Sequence, residues 1–356
     1  MLSNLTLHIY DYMTPFDAPL LTMTITAASI ALLRMLAVPL RLIDEPSGRK
    51  THSHGTAMVG GLALMIGFLS VLASNESVFG NYLVVINFTV LLVIVGLLDD
   101  AVSLTSSIRM MIQIGVGAGI YYLADLKFLS VGDIWFVGNL GLGSFALLFT
   151  IIAVVGGINA VNMMDGADGL VGGLLFSTLC ILWFLANDAG ATNMTEVLAL
   201  LIPALFVFLL FNYRFPWNPK ARVFLGDSGA YALGFLLVVL FIQATQGEAG
   251  FIPPILVLWI MAVPLVDIAG AIYRRAKVGK MPFADGREHV HYILVDAGVK
   301  QSLVTNGLLV ANMIVGVVGV ALFYAGVSES VMFLIFMVIC CAYFYLLSKV
   351  PKNNTP

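Results

Sequence analysis

Apolar residues in this chain come in blocks of about 17 to 25, set apart by short polar connections. A helix rising 1.5 Å per residue needs about 20 apolar residues to cross a bilayer core, so blocks of this length point to membrane-spanning helices. The alternating ten-residue segments of an outer-membrane barrel are absent. With 60% hydrophobic residues, 10% charged residues and a mean hydropathy of +1.00, the chain is more apolar than a water-soluble core of its size requires. The expected fold is all-α, a polytopic integral membrane protein whose solvent is the lipid bilayer. About eleven segments can be drawn, near 19–41, 58–74, 82–98, 108–124, 143–160, 168–187, 196–213, 229–245, 253–273, 301–325 and 330–348. No repeat of 20 to 50 residues is visible, so residues 1–356 read as a single transmembrane domain.

Cationic loops stay in the cytoplasm, and the 17 Lys and Arg residues therefore set the orientation. A periplasmic N-terminus and a cytoplasmic C-terminus bring Arg41, Arg49, Lys50, Arg214, Lys220, Arg222, Arg274, Arg275, Lys277 and Arg287 to the inner side. Lys127 alone then lies in an outer loop. Arg34, inside the first segment, is expected to snorkel toward the cytoplasm. A net charge of −3 gives no signal for nucleic acid. The stretch before the first apolar run is too polar for a cleavable signal peptide, so the first helix itself would direct insertion into the inner membrane. Cys180, Cys340 and Cys341 lack metal or redox spacing and read as packing residues.

Sorting the acids by side separates two populations. Outer loops carry single carboxylates such as Asp125, Asp188 and Glu248; inner connections carry Asp99-Asp100, Asn159-x-x-Asn162-x-x-Asp165-x-x-Asp168 and Gly226-Asp227. Two adjacent carboxylates at an electronegative helix C-terminus suggest a metal or a proton-handling role; the alternative is a solvated helix end. Polar residues every third position from Asn159 share one helical face, and Gly166 and Gly169 allow close backbone approach to an anion. Capping of a helical hairpin is the plainer reading of that run. Asp227 alone would be a helix cap; beside two further acidic elements it reads as a metal ligand, and oxygen donors favour Mg²⁺, with Mn²⁺ as an alternative. The inner loop 274–300 is basic and holds Arg287, His289 and His291, suited to a nucleotide diphosphate. Asp267, within a span, is either functional or paired with a basic side chain.

These residues resemble the polyprenyl-phosphate N-acetylhexosamine-1-phosphate transferase superfamily, glycosyltransferase family 4, and most closely its bacterial undecaprenyl-phosphate α-N-acetylglucosaminyl 1-phosphate branch. The matching core runs over about 42–298: Asp44-x-Pro46-x-x-Arg49-Lys50-x-His52, Val59-Gly60-Gly61, Leu98-Asp99-Asp100, residues 159–170, residues 223–229, Pro264-Leu265-x-Asp267, and Arg287-x-His289-x-His291. The resemblance implies that Asp227 and Asn162 hold Mg²⁺ on a UDP-sugar donor. It also implies that Asn159, Asp165, Gly166, Asp168 and Asn212 help bind the nucleotide, that Asp99 and Asp100 lie beside the acceptor phosphate, and that Arg109 contacts phosphate. The loop with Arg287, His289 and His291 would face the sugar and diphosphate, with Lys50 and His52 as further candidates. Three positions depart from the pattern: Ser103 replaces a third acid, Tyr292 replaces the last imidazole of a His-x-His-His run, and Ala57 stands where relatives often have Pro.

The implied reaction transfers GlcNAc-1-phosphate from UDP-GlcNAc to undecaprenyl phosphate at the cytoplasmic face. It releases UMP and makes a lipid-linked diphospho-sugar for a cell-envelope polysaccharide such as the O-antigen of lipopolysaccharide. The same reaction with phospho-N-acetylmuramoyl-pentapeptide or a deoxy-amino sugar stays open, as do an aspartyl-phosphate route and a homodimer. A membrane transporter is the rival of a different class, resting on span number and Asp267. Transport sites sit near mid-membrane, whereas these acids line one surface.

Overall fold

The computed structural model describes residues 16–44, 55–216, 218–279 and 286–350. Lys50 and His52 lie outside the described residues.

Each apolar block is helical. Helix α1 covers Asp17–Leu36, α2 Gly60–Leu72, α3 Glu76–Asn81, α4 Leu83–Val102 and α5 Ser106–Leu123. A 3₁₀ turn then leads into α6 Ala146–Met164, α7 Leu170–Asp188, α8 Thr192–Asn212 and α9 Gly226–Thr245. The chain ends with α10 Pro254–Ile260, α11 Ala262–Lys277, α12 Val290–Asp296, α13 Gln301–Tyr324 and α14 Glu329–Ser348. By length and apolarity, 8 of the described helices can cross a membrane, and 9 if the bent pair α10–α11 counts as one span. Two of the expected segments fall short of that standard: α2 has only 13 residues, and α5 carries Arg109 and Gln113. Arg34 sits exposed in the last turn of α1, where its head can reach water.

The segment read as one span over 253–273 breaks at Met261, and its halves bend by 85°. A break inside hydrocarbon frees backbone groups that need partners. Asn312 of α13 supplies them, accepting from the Val263 N–H at 3.1 Å and donating to the Ile260 carbonyl at 3.3 Å. Thr178 of α7 adds a second donor to the same carbonyl at 2.9 Å.

Helix α9 is the hub, with only Asp227, Gln243 and Thr245 less than buried. It packs on α2, α4 and α6. Small residues permit this closeness, as is usual where lipid offers no hydrophobic drive between helices. A Cβ at Gly61 would strike the backbone of Gly229, one at Gly96 the backbone of Ser228, and one at Gly234 the backbone of Gly157.

Among the described residues one pair of strands interrupts the helices, beside isolated bridges at Ser130–Gly141 and Phe215–Asn218. Strands β1 (Ile43–Asp44) and β2 (Thr56–Ala57) pair antiparallel, with Ile43 opposite Ala57. Ala57 also bridges to Val223, and Phe224 N–H donates to the Ala57 carbonyl at 2.8 Å. Gly60 and Gly61 N–H groups donate at 2.9 Å to the carbonyls of Phe224 and Leu225. The entries of α2 and α9 are thereby stitched together just ahead of Asp227.

Candidate active site

One end of the bundle gathers the C-terminal ends of α4, α6 and α8 with the starts of α7 and α9, and a cavity of about 320 Å³ opens among them. Asp100, Asn162, Asp165, Asp168 and Asp227 line it, as do Gly166, Asn212 and Tyr292. Asp44, from the connection between α1 and α2, lines it too, so four separate connections contribute acids to one chamber. A larger cavity, about 640 Å³, lies at the opposite helix ends beside Tyr82, Lys127 and Gln243, and contains none of these groups.

Asp227 is in the first turn of α9, after a Gly226 whose φ of 72° suits glycine. Its carboxylate accepts a short hydrogen bond from the Asn162 amide, and its N–H lies 3.1 Å from both carboxylate oxygens of Asp100. Asp165, on the turn between α6 and α7, is held well above the ordinary carboxylate range, at about 7. Burial is the chief cause, followed by the negative charges of Asp227 and Asp168. Such crowding of acids favours a bound cation. Among the described residues, no three His, Cys, Asp or Glu side chains come together as a complete metal cage. The donors that do face the cavity are all oxygens, and few. That set fits Mg²⁺, which takes one or two carboxylates and fills its remaining positions from water and phosphate.

Asp99 and Asp100, adjacent in sequence, do different things. Asp99 is buried outside the cavity lining, its Oδ1 accepting from Leu104 N–H at 2.7 Å. Its Oδ2 accepts from Tyr231 at 2.5 Å and from Arg109 at 3.1 Å. Asp168 is also engaged, pairing with Arg214 at 2.7 Å. Asn212 fastens helices to one another: it accepts from Gly169 N–H at 2.8 Å and donates to the Val223 carbonyl at 2.9 Å. Asn159 does not line the cavity; its amide donates to Gln113 at 2.6 Å and to the Val155 carbonyl at 2.7 Å.

Beyond 280–285, which lie outside the described residues, the chain from 286 reaches the cavity with Tyr292, beside α11. Asp267 is fully buried and accepts from the Val290 N–H at 2.8 Å, with His289 Nδ1 at 2.7 Å and Arg274 at 3.7 Å. It is therefore paired, as a membrane-buried acid must be. Its partners fix the start of α12, which brings His291 and Tyr292 against Gly166. His291 is 2% exposed and, among the described residues, neither ring nitrogen has a hydrogen-bond partner. Burial pushes it down to about 4, so it is neutral near pH 7. Arg287 lies 4.5 Å over the Tyr292 ring and pairs with Asp296 at 2.6 Å.

Sequence reasoning passed over Tyr231 and Gln113, and used Arg214 only as a charge that sets orientation. Tyr231 follows Asp227 by one helical turn, a spacing that puts both on one face of α9. Gln113 likewise follows Arg109 by one turn on α5.

The model of Glycosyl transferase family 4 matches residues 82–245, the stretch holding Asp99, Asp100, Asn162, Asp165, Asp168 and Asp227. Several curated relatives carry the name undecaprenyl-phosphate α-N-acetylglucosaminyl 1-phosphate transferase. The Yersinia pestis protein is 33% identical over 322 residues, covering 89% of this chain and 87% of its own. The Salmonella typhi protein is 31% identical, covering 92% of this chain and 89% of its own. That of Haemophilus influenzae is 32% identical, covering 89% of both. A likeness at 31–33% identity running through nearly the full length of both partners shows that this chain belongs to the glycosyl transferase family 4 enzymes.

Proposed function

We propose that the chain transfers GlcNAc-1-phosphate from UDP-GlcNAc to undecaprenyl phosphate, in the inner membrane and at its cytoplasmic face, supplying lipid-linked sugar for a cell-envelope polysaccharide. The observation that carries this reading is the convergence of Asp100, Asn162, Asp165 and Asp227 on one cavity at the helix ends. The names of the relatives supply the acceptor and the sugar.

In this reaction an oxygen of the acceptor phosphate forms a bond to the β-phosphorus of the donor, and the bond from that phosphorus to UMP breaks. The sugar C1–O bond is untouched, so its configuration is retained. Two anions must meet, and catalysis consists mainly of alignment and charge compensation. Mg²⁺, or Mn²⁺, held by Asp227 and Asn162 beside the donor diphosphate, would supply a Lewis acid that offsets charge on its oxygens. The Asn162–Asp227 hydrogen bond orients both side chains before the donor arrives. Asp100, kept in place by the Asp227 N–H, faces the chamber where it can steer the acceptor phosphate or accept its last proton. Arg109, whose side chain is 26% exposed, is positioned to meet that phosphate from the α5 side. His291, neutral near pH 7, and Arg287 act from the donor side.

The test incubates purified protein with Mg²⁺, undecaprenyl phosphate and, in turn, UDP-GlcNAc, UDP-N-acetylmuramoyl-pentapeptide and a UDP-deoxy-amino sugar, and measures UMP. Release from UDP-GlcNAc that requires the lipid phosphate is expected. Release from another donor alone reassigns the sugar, and release from none removes the reading.

A further inference from the structure

Asp99 and Asp100 share a helix end, yet only Asp100 lines the cavity. A carboxylate has about four lone-pair positions, and Asp99 uses three of them on donors within the protein: Leu104 N–H, the Tyr231 hydroxyl and the Arg109 guanidinium. What remains of Asp99 is an anchor. The guanidinium it holds is restrained at three points on its near side. Nη1 lies 3.1 Å from Asp99 and 3.4 Å from the Tyr231 hydroxyl, and Nη2 donates to Ser106 Oγ at 3.1 Å. An arginine carries five N–H donors, so others stay available on the outward side.

Tyr231 is 2% exposed on the most enclosed helix of the bundle. Packing alone would be served by phenylalanine. A buried phenol has to find a partner, and this one finds both members of an ion pair, sitting where it fixes the Asp99 carboxylate in the orientation that Arg109 needs. We propose that Tyr231 is a positioning residue for the reaction: its hydroxyl holds Asp99 in place, and through Asp99 sets the guanidinium of Arg109 that receives the phosphate of the lipid acceptor. This rests on the reading above that Arg109 meets the acceptor phosphate. Asp99 is then the support of a phosphate-binding arginine, and Asp100 the carboxylate of the pair that faces the reactants.

The experiment compares Tyr231→Phe, Arg109→Ala and the double variant, measuring KM for a short-chain polyprenyl phosphate, KM for UDP-GlcNAc, kcat and thermal unfolding. Losing one hydrogen bond to a charged group is expected to raise the acceptor KM of Tyr231→Phe by roughly ten-fold. The donor KM should stay within about two-fold of wild type, because general loosening of the fold would move both constants. The double variant should be no weaker than Arg109→Ala alone, since both changes remove one interaction. An unchanged acceptor KM in Tyr231→Phe, while Arg109→Ala raises it, overturns the positioning role and leaves the proposed function standing. An unchanged acceptor KM in Arg109→Ala removes the arginine's contact with the acceptor and this inference with it. Should Tyr231→Phe fail to fold, Asp99→Asn removes the charge through which Tyr231 is proposed to act on the same guanidinium; a raised acceptor KM with an unchanged donor KM supports the inference and an unchanged acceptor KM refutes it.

Discussion

Asp227 occupies the junction of the polar ends of α4 and α6, touching Asn162 through its carboxylate and Asp100 through its N–H. Asp227→Ala should abolish UMP release while the protein still inserts and folds, checked by activity and thermal unfolding on the same preparation; turnover at wild-type rate would end the metal assignment. Asp165 carries a pH prediction. Its carboxyl, raised to about 7, keeps a proton in the folded chain that the unfolded chain releases near pH 4. Stability from this group therefore falls as pH rises through that window. A divalent ion entering the cavity must compete with the same proton, so Mn²⁺ affinity should rise with pH through the range in which Asp165 loses it. Titration of bound Mn²⁺ between about pH 5.5 and 8.5 tests this, and Asp165→Asn should flatten the curve. Roles at this scale were only partly legible in the sequence. Spacing put Asn162, Asp165 and Asp168 on one face, but a linear string cannot reveal which acid is already neutralised. Asp168 is spent on Arg214, 46 residues away, and Asp99 on Arg109 of the next helix.

Helices bring those residues into register through backbone proximity more than through side-chain bulk. Gly96 lies against Ser228, three residues before Asp99 on one helix and one after Asp227 on the other. Gly96→Val should cost about 1–3 kcal/mol by overpacking and shift the two acidic ends apart; a lowered melting temperature together with lost activity is the expected result, and wild-type behaviour in both would show that the contact is dispensable. At the break between α10 and α11, Asn312→Leu strips the Val263 N–H of its partner inside the bundle. The expected loss is about 1–3 kcal/mol, read by thermal unfolding in detergent. Neither feature is visible in hydropathy. A run of apolar residues reads as one span whether or not it bends, and the partner that makes the bend tolerable sits on α13, 49 residues away. The tiny β1–β2 pair escaped notice for a similar reason, since two-residue strands leave no periodic pattern.

For the molecule as a whole, block length carried most of the information about the helices, because a bilayer restricts a chain so strongly. All eleven apolar blocks are helical in the structure, with boundaries shifted by a few residues at most of their ends. The proposed orientation has a direct check. In a background lacking Cys180, Cys340 and Cys341, Asn193→Cys at the start of α8 and Arg222→Cys ahead of α9 lie at opposite ends of the bundle, and both native residues are exposed. A membrane-impermeant maleimide added to intact cells should label position 193 and spare position 222; the reverse pattern would invert the topology. The enclosure of α9 has a further outcome. The helix whose first turn bears Asp227 is also the central pillar of the bundle, so bulk added anywhere along its buried length would be transmitted through close-packed neighbours to the reacting end.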